Sequence, residues 1–263
     1  MNIISCDVGW VAGKKRNAVV IATNDWQIRC LRRELDDNQL ATLVKEWATP
    51  ESLILLDVPI EGCGELSKEN PRRHVENTLQ HYLSLYPALK ANLRGKQLRE
   101  ILLQGISQEV RKNVIIKEIY PYAVYKFLWF VDSKGILANV QKGEWQSVVD
   151  ENFPSKSSPK YKRGKKEERL KGMRYLYTFL TERLSLSFLE PLDSPNEMFS
   201  HSQLDLLADQ YDACLGTVVG LLSVARNPFA WLIGNDDQGE ILMLADEWLK
   251  NELESKISMK RLY

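Results

Sequence analysis

The sequence predicts an α/β domain whose sheet opens as an antiparallel hairpin, continues through parallel strands and is flanked by helices. Three observations predict it. Short apolar runs at residues 2–8, 53–58 and 114–120 each stop at a glycine or proline, as buried strands do. Two further runs rich in Val, Ile and Leu, 18–23 and 27–35, are separated by the turn-forming pair Asn24-Asp25. The stretches between the buried runs repeat apolar residues at helical spacing.

Taken in order, residues 2–8 form the first strand and the pair of runs after it a hairpin, giving three antiparallel strands. Asp37 is a candidate N-cap for a helix carrying Leu40, Leu43, Val44 and Trp47, closed by Pro50. The run LILLDV at 53–58 then returns by a crossover, so it pairs parallel to the first strand. Residues 60–112 are less apolar and mostly helical in pattern, with Leu79, Leu83 and Tyr86 on one stripe and Leu98, Ile101 and Leu102 on another. They read as a helical insertion or cap. The third buried run ends at Pro121, which suits the first position of a helix through Val124, Tyr125 and Leu128.

Residues 154–166 are a polar Pro/Ser/Lys loop, followed by a helix with Leu170, Met173, Leu176, Tyr177 and Leu180 on one side. Residues 202–225 give the longest helical pattern, in which Gly216 and Gly220 suggest close packing on the sheet. A late strand at 239–244 and an amphipathic helix at 245–254, with Trp248 and Leu249 inward, complete the reading. The chain of 263 residues, 44% apolar, suits a single domain over 1–263 with the 60–112 insertion inside it.

The 35 basic side chains balance the 35 acidic ones, so the whole-chain field points to no polyanion and to no membrane surface. No window is apolar enough to span a bilayer. The start MNIISCDVGW lacks a secretory pattern, because Asp7 interrupts it; the expectation is a cytoplasmic protein. Cys6, Cys30, Cys63 and Cys214 are scattered without a CxxC pair, which leaves zinc and redox motifs unsupported.

The chemistry lies in carboxylates where strands are apolar. Asp7, Asp57 and Glu118 each stand near the end of a buried run, and an ionised carboxylate is costly there without a partner. One such acid reads as a satisfied structural residue; three suggest convergence at the carboxyl edge of a sheet, where open α/β folds place ligands. The period of two puts Ser5 with Asp7, Leu55 with Asp57 and Ile116 with Glu118. Asp205, Asp209 and Asp212 follow at i, i+4 and i+7 on the long helix. Asp205 suits a solvated face, Asp209 is intermediate, and Asp212 stands where the helix turns wholly apolar. Clustered carboxylates need a cation, and an all-oxygen set suits Mg²⁺ or Mn²⁺. His74, His81 and His201 lie far from these acids in sequence.

Residues 156–174 hold nine basic side chains against two acidic ones. A solvated loop is the plain reading; the functional one is a grip on phosphates, with Lys160, Lys162, Arg163, Lys165, Lys166, Arg169 and Arg174 as candidates. Gly9, Gly13, Lys14 and Lys15 lack Walker A spacing but suit a phosphate-contacting turn.

Six segments, CDVGW at 6–10, LLDVPIEG at 55–62, KEIYPYAVYKFL at 117–128, YKRGKKEERLKGMRYL at 161–176, DQYDACLGTVVGLL at 209–222 and GEILML at 239–244, stand in an order that resembles the "domain of unknown function 429" family. That family is regarded as predicted nucleases on the RNase H-like fold. The resemblance implies that Asp7, Asp57, Glu118 and Asp212 bind metal and act in catalysis; Asp209, on the same helical stripe as Asp212, is a further candidate ligand from the spacing itself. It implies that Arg72 and Arg73, after the Asp-Val-Pro strand, and Arg169 or Arg174 contact nucleic acid. The leading expectation is therefore a divalent-metal-dependent phosphodiester hydrolase acting on nucleic acid, RNA or DNA. Two alternatives stay open: a non-catalytic nucleic-acid-binding module on the same fold, and, from Asp7-Val8-Gly9, an ATP-handling enzyme of the actin/sugar-kinase type. The oligomeric state is not legible.

Overall fold

The computed structural model describes the chain except residues 12, 14, 65, 84, 86, 92, 145–147, 154–156 and 185. Tyr86 and Lys14, named above, and Lys156, the first basic residue of the segment 156–174, lie outside the described residues.

Strands β1 (Asn2–Asp7), β2 (Asn17–Thr23) and β3 (Gln27–Leu35) form the expected antiparallel opening. Helix α1 (Asp37–Trp47) leads to β4 (Leu53–Asp57), which pairs parallel to β1. The cap of α1 is Asp36, one residue earlier than expected. Its side chain accepts from the Gln39 N–H while the Gln39 side chain accepts from its own N–H, a reciprocal box that satisfies two orphan donors. Asp37 is drawn away to Asn17 and Arg94.

The 60–112 region is helical: α2 (His74–Leu79), a 3₁₀ turn over Ala88–Lys90, α3 (Arg94–Gly105) and α4 (Gln108–Arg111). Helix α2 ends at Leu79, so Leu83 sits in the following turn and shares no helix with it. Leu98 and Leu102 of α3 pack with Leu40 and Val44 of α1 against Ile4, Cys6, Ile54 and Leu56. Helix α3 of the insertion therefore covers one face of the sheet.

Strand β5 (Ile115–Ile119) pairs parallel to β4, and Pro121 opens α5 (Pro121–Ser133) as expected. Then come α6 (Leu137–Lys142), α7 (Lys166–Thr178) with a π-helical turn over Phe179–Arg183, and the short β6 (Ser187–Phe188). Helix α8 (His201–Val224), β7 (Ala230–Asn235), β8 (Gly239–Leu244), α9 (Glu247–Glu254) and β9 (Met259–Lys260) end the chain. Leu249 of α9 is fully buried, and Trp248 is half-buried with its ring edge-on to Tyr82.

Among the described residues these strands form one mixed sheet of nine, in the order β6-β3-β2-β1-β4-β5-β8-β7-β9. The parallel run is β1-β4-β5-β8. Helices α5 and α8 lie on the face opposite α3, over Ile3, Leu53, Leu55 and Ile119, and Val75, Leu79 and Leu83 of the insertion join their core cluster. No helix among the described residues is long and apolar enough to cross a membrane.

Candidate functional site

The site follows from register. Strands β1 and β4 pair with Asp7 opposite Asp57, so the two carboxylates leave the same face at the carboxyl edge of the sheet. Helix α8 runs over that face, held close by its glycines. A β-carbon at Gly220 would press on Ile3 and Leu55, and one at Gly216 would overlap Ser5 and Ile119. Four helical residues rise about 6 Å, nearly the advance of two strand residues. Gly220 thus lies over Ile3 and Gly216 over Ser5, and the next step places Asp212 over Asp7. One oxygen from each of Asp7, Asp57 and Asp212 lies within 4.8 Å of the other two.

A second arm reaches the cluster from residues 158–163. Gly172 of α7 lets the backbone at Lys160 and Tyr161 pass where a β-carbon would clash. The Tyr125 hydroxyl donates to the Pro159 carbonyl at 2.9 Å, and Arg169 Nε donates to the Tyr161 carbonyl at 3.3 Å. The Tyr161 ring packs edge-on against Tyr125, centroids 4.9 Å apart. So anchored, the Tyr161 hydroxyl donates to Asp212 Oδ1 at 2.5 Å. The Lys162 ammonium forms an ion pair with Asp212 and stands 3.9 Å from Asp7 Oδ1.

The electrostatics follow from burial. Desolvation raises the Asp7 carboxyl well above its ordinary value; Lys162 opposes the shift, and Asp209, Asp212 and Asp57 add to it. Asp57 is pushed up to about 7, chiefly by burial, with Lys162 opposing. Asp212 and Asp209 are raised for the same first reason. Burial alone would lower the Lys162 amine, but Asp212, Asp7, Asp57 and Asp209 outweigh it and keep it charged. An acid set that holds its protons this firmly is one that welcomes a cation.

The cluster opens into a cavity of about 700 Å³. Its acids are Asp7, Asp57, Asp205, Asp209 and Asp212; its bases are Arg16, Lys90, Lys160, Lys162 and Arg163. Trp10, Tyr120, Tyr122 and Tyr161 supply aromatic wall. Asp209 flanks the cluster, one turn before Asp212, and takes an ion pair from Arg16 at 3.1 Å.

Several expected residues lie elsewhere. Glu118 does not join the three aspartates. Its register partner on β4 is Leu56, not Asp57, so its side chain leaves the opposite face. There Arg73 grips it with two bonds, Nη1 at 2.7 Å and Nη2 at 2.5 Å, and the Ile60 N–H donates to it at 3.0 Å. Burial raises its pKa despite Arg73. Arg73 in turn holds Glu76 and the Glu61 carbonyl, with 1% of its side chain exposed, so it fastens the insertion to β5 and is closed to nucleic acid. Arg72 does not line the cavity. Arg169 is buried and paired to Asp205 at 2.6 Å, positioning the 158–163 arm. Arg174 pairs with Glu197 on the surface, and Lys165 and Lys166 cap and open α7 outside the cavity lining.

Of the expected grip, Lys160, Lys162 and Arg163 face the cavity. Arg16 and Lys90 were not anticipated. Arg16 follows the basic loop after β1, a signal that was available; Lys90 sits in a 3₁₀ turn of the insertion and had none. No protein-family profile, no curated protein and no solved structure matches the chain.

Proposed function

We propose that this chain is a divalent-metal-dependent phosphodiester hydrolase of RNase H-like fold acting on nucleic acid. One observation carries the reading: Asp7, Asp57 and Asp212 converge from β1, β4 and α8 at the floor of a cavity whose walls carry five basic side chains. The donor set is all carboxylate oxygen, which fits Mg²⁺ or Mn²⁺, and Asp7, Asp57 and Asp212 would hold it. Such an ion, when bound, acidifies water and neutralises charge building on phosphoryl oxygens.

The remaining work belongs to the chain. Arg16, Lys90, Lys160 and Arg163 would bind phosphate oxygens flanking the scissile group. Lys162 and the Tyr161 hydroxyl hold Asp212 in place. Hydrolysis adds water across the phosphodiester: its oxygen joins phosphorus, the bond from phosphorus to one sugar oxygen breaks, and that oxygen takes up a proton.

The test is Mn²⁺ titration by calorimetry near neutral pH, wild type beside Asp7→Asn, followed by cleavage of labelled DNA and RNA in MnCl₂. Binding and cleavage are expected in the wild type and absent in the variant. Cleavage that survives Asp7→Asn sinks the reading. A second reading, a metal-free nucleic-acid-binding module, is favoured by the Lys162–Asp212 ion pair, which neutralises part of the cluster without any metal. It is distinguished by nucleic-acid affinity that is the same in chelator and in MnCl₂.

A further inference from the structure

The cavity beside the acid cluster has two aromatic rings whose setting the hydrolase reading does not use. Trp10 follows β1 directly, and its indole N–H donates to the Asp57 carbonyl at 3.1 Å, which fixes the ring next to the cluster. Tyr122 is the second residue of α5, and its ring is stacked on Tyr161 at 6.5 Å and 29°. Both are half-buried and both line the cavity. Each ring is thus backed by protein and turned in part to the space in front of the carboxylates.

Aromatic faces held rigid next to basic side chains are how proteins take bases out of a strand. At about 700 Å³ the space is of small-molecule size. A base still paired in a duplex does not reach into such a cavity, whereas an unpaired one does. We infer that the site takes one unpaired nucleotide, its base stacked on Trp10 or Tyr122 and its phosphate directed to the carboxylates and to Lys160, Arg163 and Arg16, so that the substrate class is single-stranded nucleic acid. This deepens the hydrolase reading and rests on it for the cleavage step, in which water adds to phosphorus and the sugar oxygen leaves with a proton as above.

The experiment has a binding arm and a cleavage arm, both on the full chain. Calorimetry in MnCl₂ compares adenosine 5′-monophosphate with ribose 5-phosphate, which has the phosphate and lacks the base. The nucleotide is expected to bind about tenfold more tightly, the effect of one stacked base. Trp10→Ala and Tyr122→Ala are expected to erase that difference between them, while Trp10→Phe, which keeps a ring, retains it. Equal affinity for the two compounds, no binding of either, or a full base preference in both alanine variants overturns the inference. In the cleavage arm a single strand is expected to be cut and its perfect duplex spared. A duplex cut as fast as the single strand overturns the inference while the hydrolase reading stands. Base-dependent binding with neither polymer cut ends the hydrolase reading and supports the nucleotide slot.

Discussion

Asp57→Asn should make the metal-free protein more stable, which is the reverse of what most substitutions of a buried charged residue do. The Asp57 carboxyl is held at about 7 against an ordinary 3.8. At 1.36 kcal/mol per tenfold change in proton affinity, that is a ceiling of about 4 kcal/mol lost when the group ionises in the folded state. The sign is set by the direction of the shift. The folded carboxyl binds its proton more tightly than the unfolded one, so the group's favourable contribution is present below about pH 4 and is lost as pH rises to about 7. Asparagine never ionises. It also forfeits the attraction of Lys162, and its amide still has to be desolvated. We expect a net gain of about 1–2 kcal/mol at pH 8, or about 2–4 °C in Tm for a chain of this length. The assay is urea unfolding in chelator from pH 5 to 8. The gain should grow up to about pH 7 and then level off. In MnCl₂ the order should invert, because the wild type gains about 2.7 kcal/mol at a hundredfold excess over Kd and the variant does not. A variant less stable than wild type in chelator, or a gain independent of pH, refutes the reasoning.

Other variants separate structural charges from site charges. Glu118→Gln breaks the buried pair with Arg73 and should cost about 3–5 kcal/mol in urea unfolding, while calorimetric Mn²⁺ affinity of the folded variant stays that of wild type. Loss of Mn²⁺ binding in a folded Glu118→Gln would put that residue back into the metal set. Gly172→Ala forces a β-carbon into the Lys160 carbonyl and should destabilise by about 1–3 kcal/mol, again read in urea. Lys162→Met removes the cation paired with Asp212 and close to Asp7. Its melting temperature should fall in chelator at pH 8, and MnCl₂ should then raise it more than it raises the wild type; equal shifts would show that ammonium and metal do not compete.

What the sequence disclosed is tied to what periodicity can carry. The opening hairpin, the parallel strands β4 and β5, Pro121 at the head of α5 and the glycine pair of α8 all rest on local patterns, and the structure has each of them. Strand β7 escaped notice. Its run AWLIGN is short, it contains Gly234 at a φ of +99°, and the turn Asp236-Asp237-Gln238 is not a typical hairpin pair. Glu118 shows the deeper limit. Alternation within β5 places Glu118 with Ile116 correctly, but the offset between strands is not written in either strand. A single residue of register moves a side chain to the other face, and β5 enters with Leu56 opposite Glu118. The same holds for Arg73 and Arg169, whose partners are brought to them by the fold.

The balance of charge across the whole chain is repeated inside the cavity, and there it has a consequence. Three charges of the basic segment are paired: Arg169 with Asp205, Arg174 with Glu197 and Lys162 with Asp212. What faces the cavity is five acids against five bases. With those acids ionised, as a metal needs them, a phosphate approaching the side chains alone meets no net attraction, and it meets the carboxylates at short range. A divalent cation held by Asp7, Asp57 and Asp212 would change the sum by two positive charges at the point where the phosphate must arrive. Coupling of that kind is reciprocal: if metal strengthens the hold on substrate, substrate strengthens the hold on metal by the same factor. The Lys162 ammonium, charged and a third exposed, stands where that exchange would occur. It keeps three buried acids tolerable in the fold without supplying the second charge that a phosphodiester needs.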